Sequence, residues 1–210
     1  ASMAQADASR PQWSRLQAAK SQAACVIELA LRQSDRFGFI AVNDQGMTVV
    51  NAGFGLRHRD QCLLALNAVK AEGAWPIEAQ CRPIWDRIGA NALVVLLSDD
   101  FDEGALNLAE RLSAARRDVL SIQLLTAEER DFPFKGGHRF RDAESHAELL
   151  TDGEETRDEF IKRFSQARKD LAARFAASGI IHVEYVLDQP IDAPLRRLFV
   201  QGKARFQESV

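Results

Sequence analysis

A chain of 210 residues, 46% hydrophobic and 27% charged, is long enough for one buried core, and a net charge of −3 with scattered basic residues excludes a nucleic-acid footprint. No apolar run approaches the ~20 residues needed to cross a bilayer and no secretory leader is visible, so a soluble, cytoplasmic protein is expected. Cys25, Cys62 and Cys81 are an odd count without metal-ligand spacing and predict free thiols in a reducing compartment, with Cys25 and Cys62 buried on apolar helical faces.

Residues 1–12 are small and polar and read as a loop. From Ser14 to Arg32, Leu16, Ala19, Ala23, Val26, Ile27 and Ala30 recur at helical spacing. Phe37–Val42 reads as a strand, turned by Asn43-Asp44-Gln45-Gly46 into an antiparallel neighbour at Met47–Val50. A helix near Arg59–Lys70 follows, with Cys62, Leu63, Leu66 and Val69 inward. Ala74-Trp75-Pro76 opens another helical stretch that Pro83 is expected to break or kink.

The central stretch is Leu93-Val94-Val95-Leu96-Leu97-Ser98-Asp99-Asp100-Phe101. A continuous apolar run of this length predicts a strand buried on both faces, as in parallel sheets, and ligands collect at the ends of such strands. Asp102 suits the N-cap of a helix to about Ala115, and Asp118–Leu125 is a further strand. Residues 126–154 are turn-rich, with a small hairpin between 139–142 and 147–150. Glu155–Ala177 is the most regular helix, with Phe160, Phe164, Ala167, Leu171 and Phe175 on one stripe, closed by Ser178-Gly179. A last strand at Ile180–Leu187 and a terminal helix at Pro194–Gln201 complete the pattern. This alternation predicts one α/β domain over 1–210, three layers deep, with a mostly parallel sheet flanked by helices in a Rossmann-type topology.

Ser98-Asp99-Asp100 at a strand end offers oxygen ligands to a hard cation such as magnesium, which tolerates one or two protein carboxylates. The plainer alternative is that Asp99 and Asp102 bond loop amides and cap the next helix. His58, His138, His146 and His182 have no ligand spacing, no G-x-S-x-G elbow supports a hydrolytic triad, and no phosphate loop is present. Trp13, Trp75 and Trp85 read as packing residues. Asp99 as nucleophile or metal ligand in phosphoryl transfer is a second reading, with Thr126 after the next strand but no lysine in the matching place.

The ordered set Ala1-Ser2-Met3, Ala18-Ala19-Lys20, Asp35-Arg36-Phe37-Gly38-Phe39-Ile40, Ser98-Asp99-Asp100-Phe101, Thr126-Ala127-Glu128-Glu129, Arg139-Phe140-Arg141-Asp142-Ala143-Glu144-Ser145 and Val186-Leu187-Asp188-Gln189-Pro190 resembles the bacterial domain-of-unknown-function family 58 over nearly the whole chain. Its members look like von Willebrand factor A domains and are often encoded beside MoxR-type AAA+ ATPases. The resemblance implies a non-enzymatic protein-interaction module, with a MoxR-type ATPase or its client as partner. It also implies a degenerate metal-ion-dependent adhesion site in which Ser2 and Asp99 are the remaining magnesium ligands. The sequence starts after the Asp and first Ser of that family motif, and the threonine loop falls at Gly73-Ala74-Trp75, where no hydroxyl stands. Weak or absent Mg2+ binding is therefore expected, together with a sheet lacking its first strand, a gap that a homodimer could fill. The competing reading is a Mg2+-dependent phosphotransferase or hydrolase using Asp99; a third is a structural module with no site.

Overall fold

The computed structural model describes residues 2–100, 102–133, 137–141 and 148–198, with only the backbone described in 137–141 and 148–159. Helices α1 (Arg15–Arg32), α2 (Leu56–Ala68), α3 (Glu78–Arg87), α4 (Glu103–Ala114), α5 (Ala127–Asp131) and α6 (Gly153–Ala177) alternate with strands. The strands are β1 (Phe37–Asn43), β2 (Gly46–Gly53), β3 (Leu93–Ser98), β4 (Asp118–Leu125), β5 (Gly137–Arg141), β6 (Glu148–Asp152) and β7 (Ile181–Val186). The parallel part is a three-stranded sheet in the order β3-β4-β7; β1-β2 and β5-β6 are antiparallel hairpins. The β5–β6 pairing sets Arg139 opposite Leu150 and Phe140 opposite Leu149. Residues 142–147, Phe101, and the end of the expected terminal helix beyond 198 lie outside the described residues; helix is present at 193–198.

Strand alternation sends β4 and β7 into two cores. Leu120, Ile122, Leu124, Val183 and Tyr185 meet Ala18 and Ala19 of α1 on one face. Val119 joins Leu106, Ala109 and Leu112 of α4 and Leu171 and Phe175 of α6 on the other. This is the three-layer arrangement: α1 on one side, α3, α4 and α6 on the other. Helix α1 continues past the sheet, where Ile27 packs with Phe37, Cys62 and Leu66 to hold the β1–β2 hairpin and α2.

Three expectations need correction. β3 is not buried on both faces: its residues are at best partly buried, Leu93 is 55% exposed, and β4 beside it is buried from Val119 to Leu125. The reason is position, because β3 pairs only with β4 and its other edge carries no described strand. Its side chains nonetheless reach both cores, Val95 and Leu97 one and Val94 and Leu96 the other, and the latter pair shares its core with Ile40 and Val42 of β1. Next, Pro83 lies inside α3 without ending it. An interior proline costs a helix about 3 kcal/mol, and burial of Cys81 and Ile84 on either side of it offsets that loss. Finally, Cys25 is exposed, while Cys62 and Cys81 are buried free thiols. On α6 the apolar stripe is buried at Leu171 and Phe175; Ala167 is exposed.

In a parallel strand successive amides point to opposite edges, so an edge strand protects only alternate N–H groups. Hydrogen exchange should therefore show protection along all of β4 but at every second amide of β3. Continuous protection of Leu93–Ser98 would reveal a further strand seated on that edge.

Candidate functional site

The site lies at the C-terminal ends of β3 and β4, where the sequence placed its carboxylates. Ser14 caps α1, its side chain accepting from the Gln17 amide, so Arg15 is the first helical residue. Side chains of a helix tilt toward its N-terminus, which aims Arg15 at the strand ends. A cation there opposes the helix dipole, and Arg15 is 1% exposed, so it must find anions. It finds two. Nη1 lies 3.4 Å from Asp99 Oδ2 and donates to the Ser2 carbonyl at 3.3 Å, while Nη2 pairs with Glu129 Oε1.

Glu129 is held from its other oxygen. Thr126 caps α5, and its amide and hydroxyl both donate to Glu129 Oε2, at 2.8 and 3.1 Å, while the Glu129 amide donates back to Thr126 Oγ1. The stretch Thr126-Ala127-Glu128-Glu129 is thus a capping box whose acidic member is also an ion-pair partner. The N-terminal loop is pinned to the same short helix: the Ala127 amide donates to Asp7 Oδ1 at 2.6 Å and the Ala8 amide to Glu128 Oε1 at 2.8 Å. Burial, with Glu128 alongside, pushes the Asp7 carboxyl up to about 6.

Asp100 goes the other way. Its φ of 56° is left-handed, a conformation that Asp tolerates better than most residues, and its amide donates to Ser98 Oγ at 2.9 Å. The carboxylate turns beneath the opposite face of the sheet and accepts from Ser121 Oγ at 3.1 Å. Ser121 in turn lies 3.2 Å from His182 Nδ1. While Ser121 donates to an ionised Asp100 it can only accept from the imidazole, which places the proton of a neutral His182 on Nδ1. Ser121 is wholly buried, so this chain of hydrogen bonds ends inside the protein. Burial pushes Asp100 up to about 6 and holds His182 below its usual range. Beside them Arg168 pairs with Glu184 and keeps that carboxyl below the usual carboxylate range.

Ser2 and Asp99, the two expected ligands, are therefore brought together, but around Arg15. The residues do not fit a divalent ion as they stand. Asp99 is paired with a buried guanidinium, Ser2 meets the same guanidinium through its carbonyl, and Asp100 faces the other layer. Among the described residues no three His, Cys, Asp or Glu side chains are grouped as metal ligands would be. The Gly73-Ala74-Trp75 loop does reach the same rim, its indole so close to Gly104 at the start of α4 that a Cβ there would stand 2.5 Å from Trp75 Nε1. Arg15, Asp7 and Glu129 were missed by sequence reasoning. The available signals were a basic residue directly after a helix cap, where the dipole disfavours it, and a Thr-x-x-Glu box.

Residues 2–170 match the family described as Protein of unknown function DUF58. The chain belongs to that family. The fold is shared with solved structures of low identity. BatB, a conserved hypothetical protein from Bacteroides thetaiotaomicron, is 16% identical and superposes with a TM-score of 0.60, covering 96% of this chain and 92% of its own. An aerotolerance-related membrane protein from Bacteroides fragilis, with multiple mutations to serines, is 15% identical with a TM-score of 0.58, covering 94% and 90%. No functionally curated protein matches. Among the described residues of this DUF58 member no helix is long and apolar enough to cross a membrane.

A carboxyl group whose folded pKa is raised above its ordinary 3.8 stabilises the fold when protonated, and that contribution is lost as pH rises through the folded value. Ionising Asp100 in place should cost about 3 kcal/mol at neutral pH. Asp100→Asn keeps an oxygen to accept from Ser121 and suits the left-handed backbone. Thermal unfolding should show the variant equal to the wild type near pH 4 and increasingly more stable as pH rises to about 6, the difference levelling off above that, with Asp7 contributing the same pH trend to both proteins.

Proposed function

We propose that this protein is a non-enzymatic interaction module that docks another protein on the rim formed by the ends of β3 and β4. What supports this most is how the polar groups there are used. Asp99 and Glu129 bond Arg15, the Asp100 carboxylate bonds Ser121 and its backbone amide bonds Ser98, so these acidic residues hold the rim rigid. A preorganised surface of this kind suits recognition, because little ordering remains to be done on binding. The partner, following the resemblance to von Willebrand factor A-like modules, is a MoxR-type AAA+ ATPase or that ATPase's client, met in the cytoplasm. The contact is a degenerate version of a cation-bridged one.

The competing reading, Asp99 as nucleophile or metal ligand of a Mg2+-dependent phosphotransferase or hydrolase, requires that carboxylate to leave Arg15. Ala74 is exposed, lies on the rim beside Trp75 and contributes only its backbone to a described hydrogen bond, from the Asp44 amide. Interferometry against a purified MoxR-type ATPase of the same organism should show binding that Ala74→Arg weakens about tenfold, or ~1.4 kcal/mol, with no change in melting temperature. Magnesium-dependent hydrolysis of a generic phosphate ester, lost in Asp99→Asn, would instead establish the enzyme.

A further inference from the structure

We propose that Arg15 is a built-in replacement for a divalent cation, so that this rim is assembled, and does its work, without a metal. Three oxygens from segments far apart in sequence surround one guanidinium: the Ser2 carbonyl, Asp99 Oδ2 at the end of β3, and Glu129 Oε1 in α5. Two are carboxylate oxygens and all are hard donors, the kind of set that magnesium or manganese takes. What stands between them is a side chain 1% exposed, fixed at the first position of α1 and unable to lose its proton.

A guanidinium differs from an ion in three ways that matter here. It is covalently part of the chain, so the rim is complete on folding and needs no loading. It carries one charge where a dication carries two, and the pair Asp99 and Glu129 already outweighs it; a partner offering its own carboxylate would meet no open coordination position. Its planar fork also spans two carboxylates at once, where a lysine would offer one point charge. The surface is thereby expected to bind partners without a bridging metal. That holds whether or not the partner proves to be an ATPase, because occupancy by Arg15 is a property of the chain alone.

The test is metal titration of the full chain, read by calorimetry and thermal unfolding. The wild type should give no binding heat with Mg2+ or Mn2+ at millimolar concentration and the same melting temperature with metal or with chelator. Saturable binding of one ion that Asp99→Asn abolishes would overturn the proposal. Arg15→Met leaves the buried Asp99 and the half-buried Glu129 without the guanidinium; it should melt lower than the wild type and regain part of the loss as Mg2+ or Mn2+ is added. Arg15→Met/Asp99→Asn/Glu129→Gln, with the carboxylates gone, should not respond to metal. An Arg15→Met protein indifferent to metal, or one that folds under neither condition beside a triple variant that folds, would also overturn the proposal. The wild-type titration decides independently of either variant.

Discussion

The arrangement at the strand ends depends on one buried cation. Arg15 enters the protein at a place where the helix dipole repels it and water cannot reach it, and only carboxylates can make that tolerable. Removing one partner of such a pair strands the other charge, which typically costs 3–5 kcal/mol, far more than the pair contributes on balance. The positions of Asp99 and Glu129 are therefore strongly coupled to that of α1. Because Ser2 and the capping box of α5 are attached to the same groups, four segments that the sequence keeps well apart are fixed by a single side chain.

That constraint also explains how the two halves of the fold stay in register without a shared ladder. No described hydrogen-bonded pairing joins β1–β2 to β3–β4–β7. They are joined through side chains: α1 gives Ala18 and Ala19 to the core under β4 and Ile27 to the core under β1, and Val94 and Leu96 meet Ile40 and Val42 on the other side. An α1 anchored at its first residue by Arg15 and packed along two cores acts as the beam between them. The half-exposed β3 is the consequence, an apolar strand with packing on both faces and a ladder on one edge.

Most elements were legible in the sequence because they obey local rules. Asp118–Leu125 was read to the residue, since apolar positions that alternate and then run together are the mark of a strand. Asp102 was recognised as the cap of α4, and Ser14, where the helical pattern was read to begin, caps α1. Failures came where tertiary context overrode local preference. Pro83 was expected to break or kink α3, and the helix runs through it, with Cys81 and Ile84 buried on either side. The run Leu93–Leu97 looks as buried as β4, and nothing in it states which of the two is central. At the site, Asp99 stood out as a carboxylate at a strand end and Ser2 through the family resemblance, whereas the signal at Arg15 says nothing of its partners. A basic residue after a serine reads as a solvated helix start, and only the fold shows that two carboxylates from 84 and 114 positions away converge on it.

Asp99 and Asp100 show how far adjacency in sequence can mislead. Side by side on paper, they suggest a pair of oxygen ligands for one ion. In the fold they part. Asp99 turns toward α1, on the face where Leu120, Ile122 and Leu124 point. Asp100, swung by a left-handed backbone, turns beneath the other face to Ser121, which alternation places opposite those three side chains. Two carboxylates on opposite sides of a sheet cannot share a cation, and each needs its own partner: a guanidinium for the first, the Ser121 hydroxyl for the second. The left-handed turn at residue 100 thus divides the strand end into an ionic layer, which ties the N-terminal segment and α5 to the sheet, and a neutral hydrogen-bonded layer of Ser121 and His182 under α4 and α6. The first depends on charge neutralisation and the second on protonation. Within that second layer the two titrating groups pull in opposite directions: acid relieves the buried charge of Asp100, while it forces a proton onto His182, whose burial holds it below its usual range.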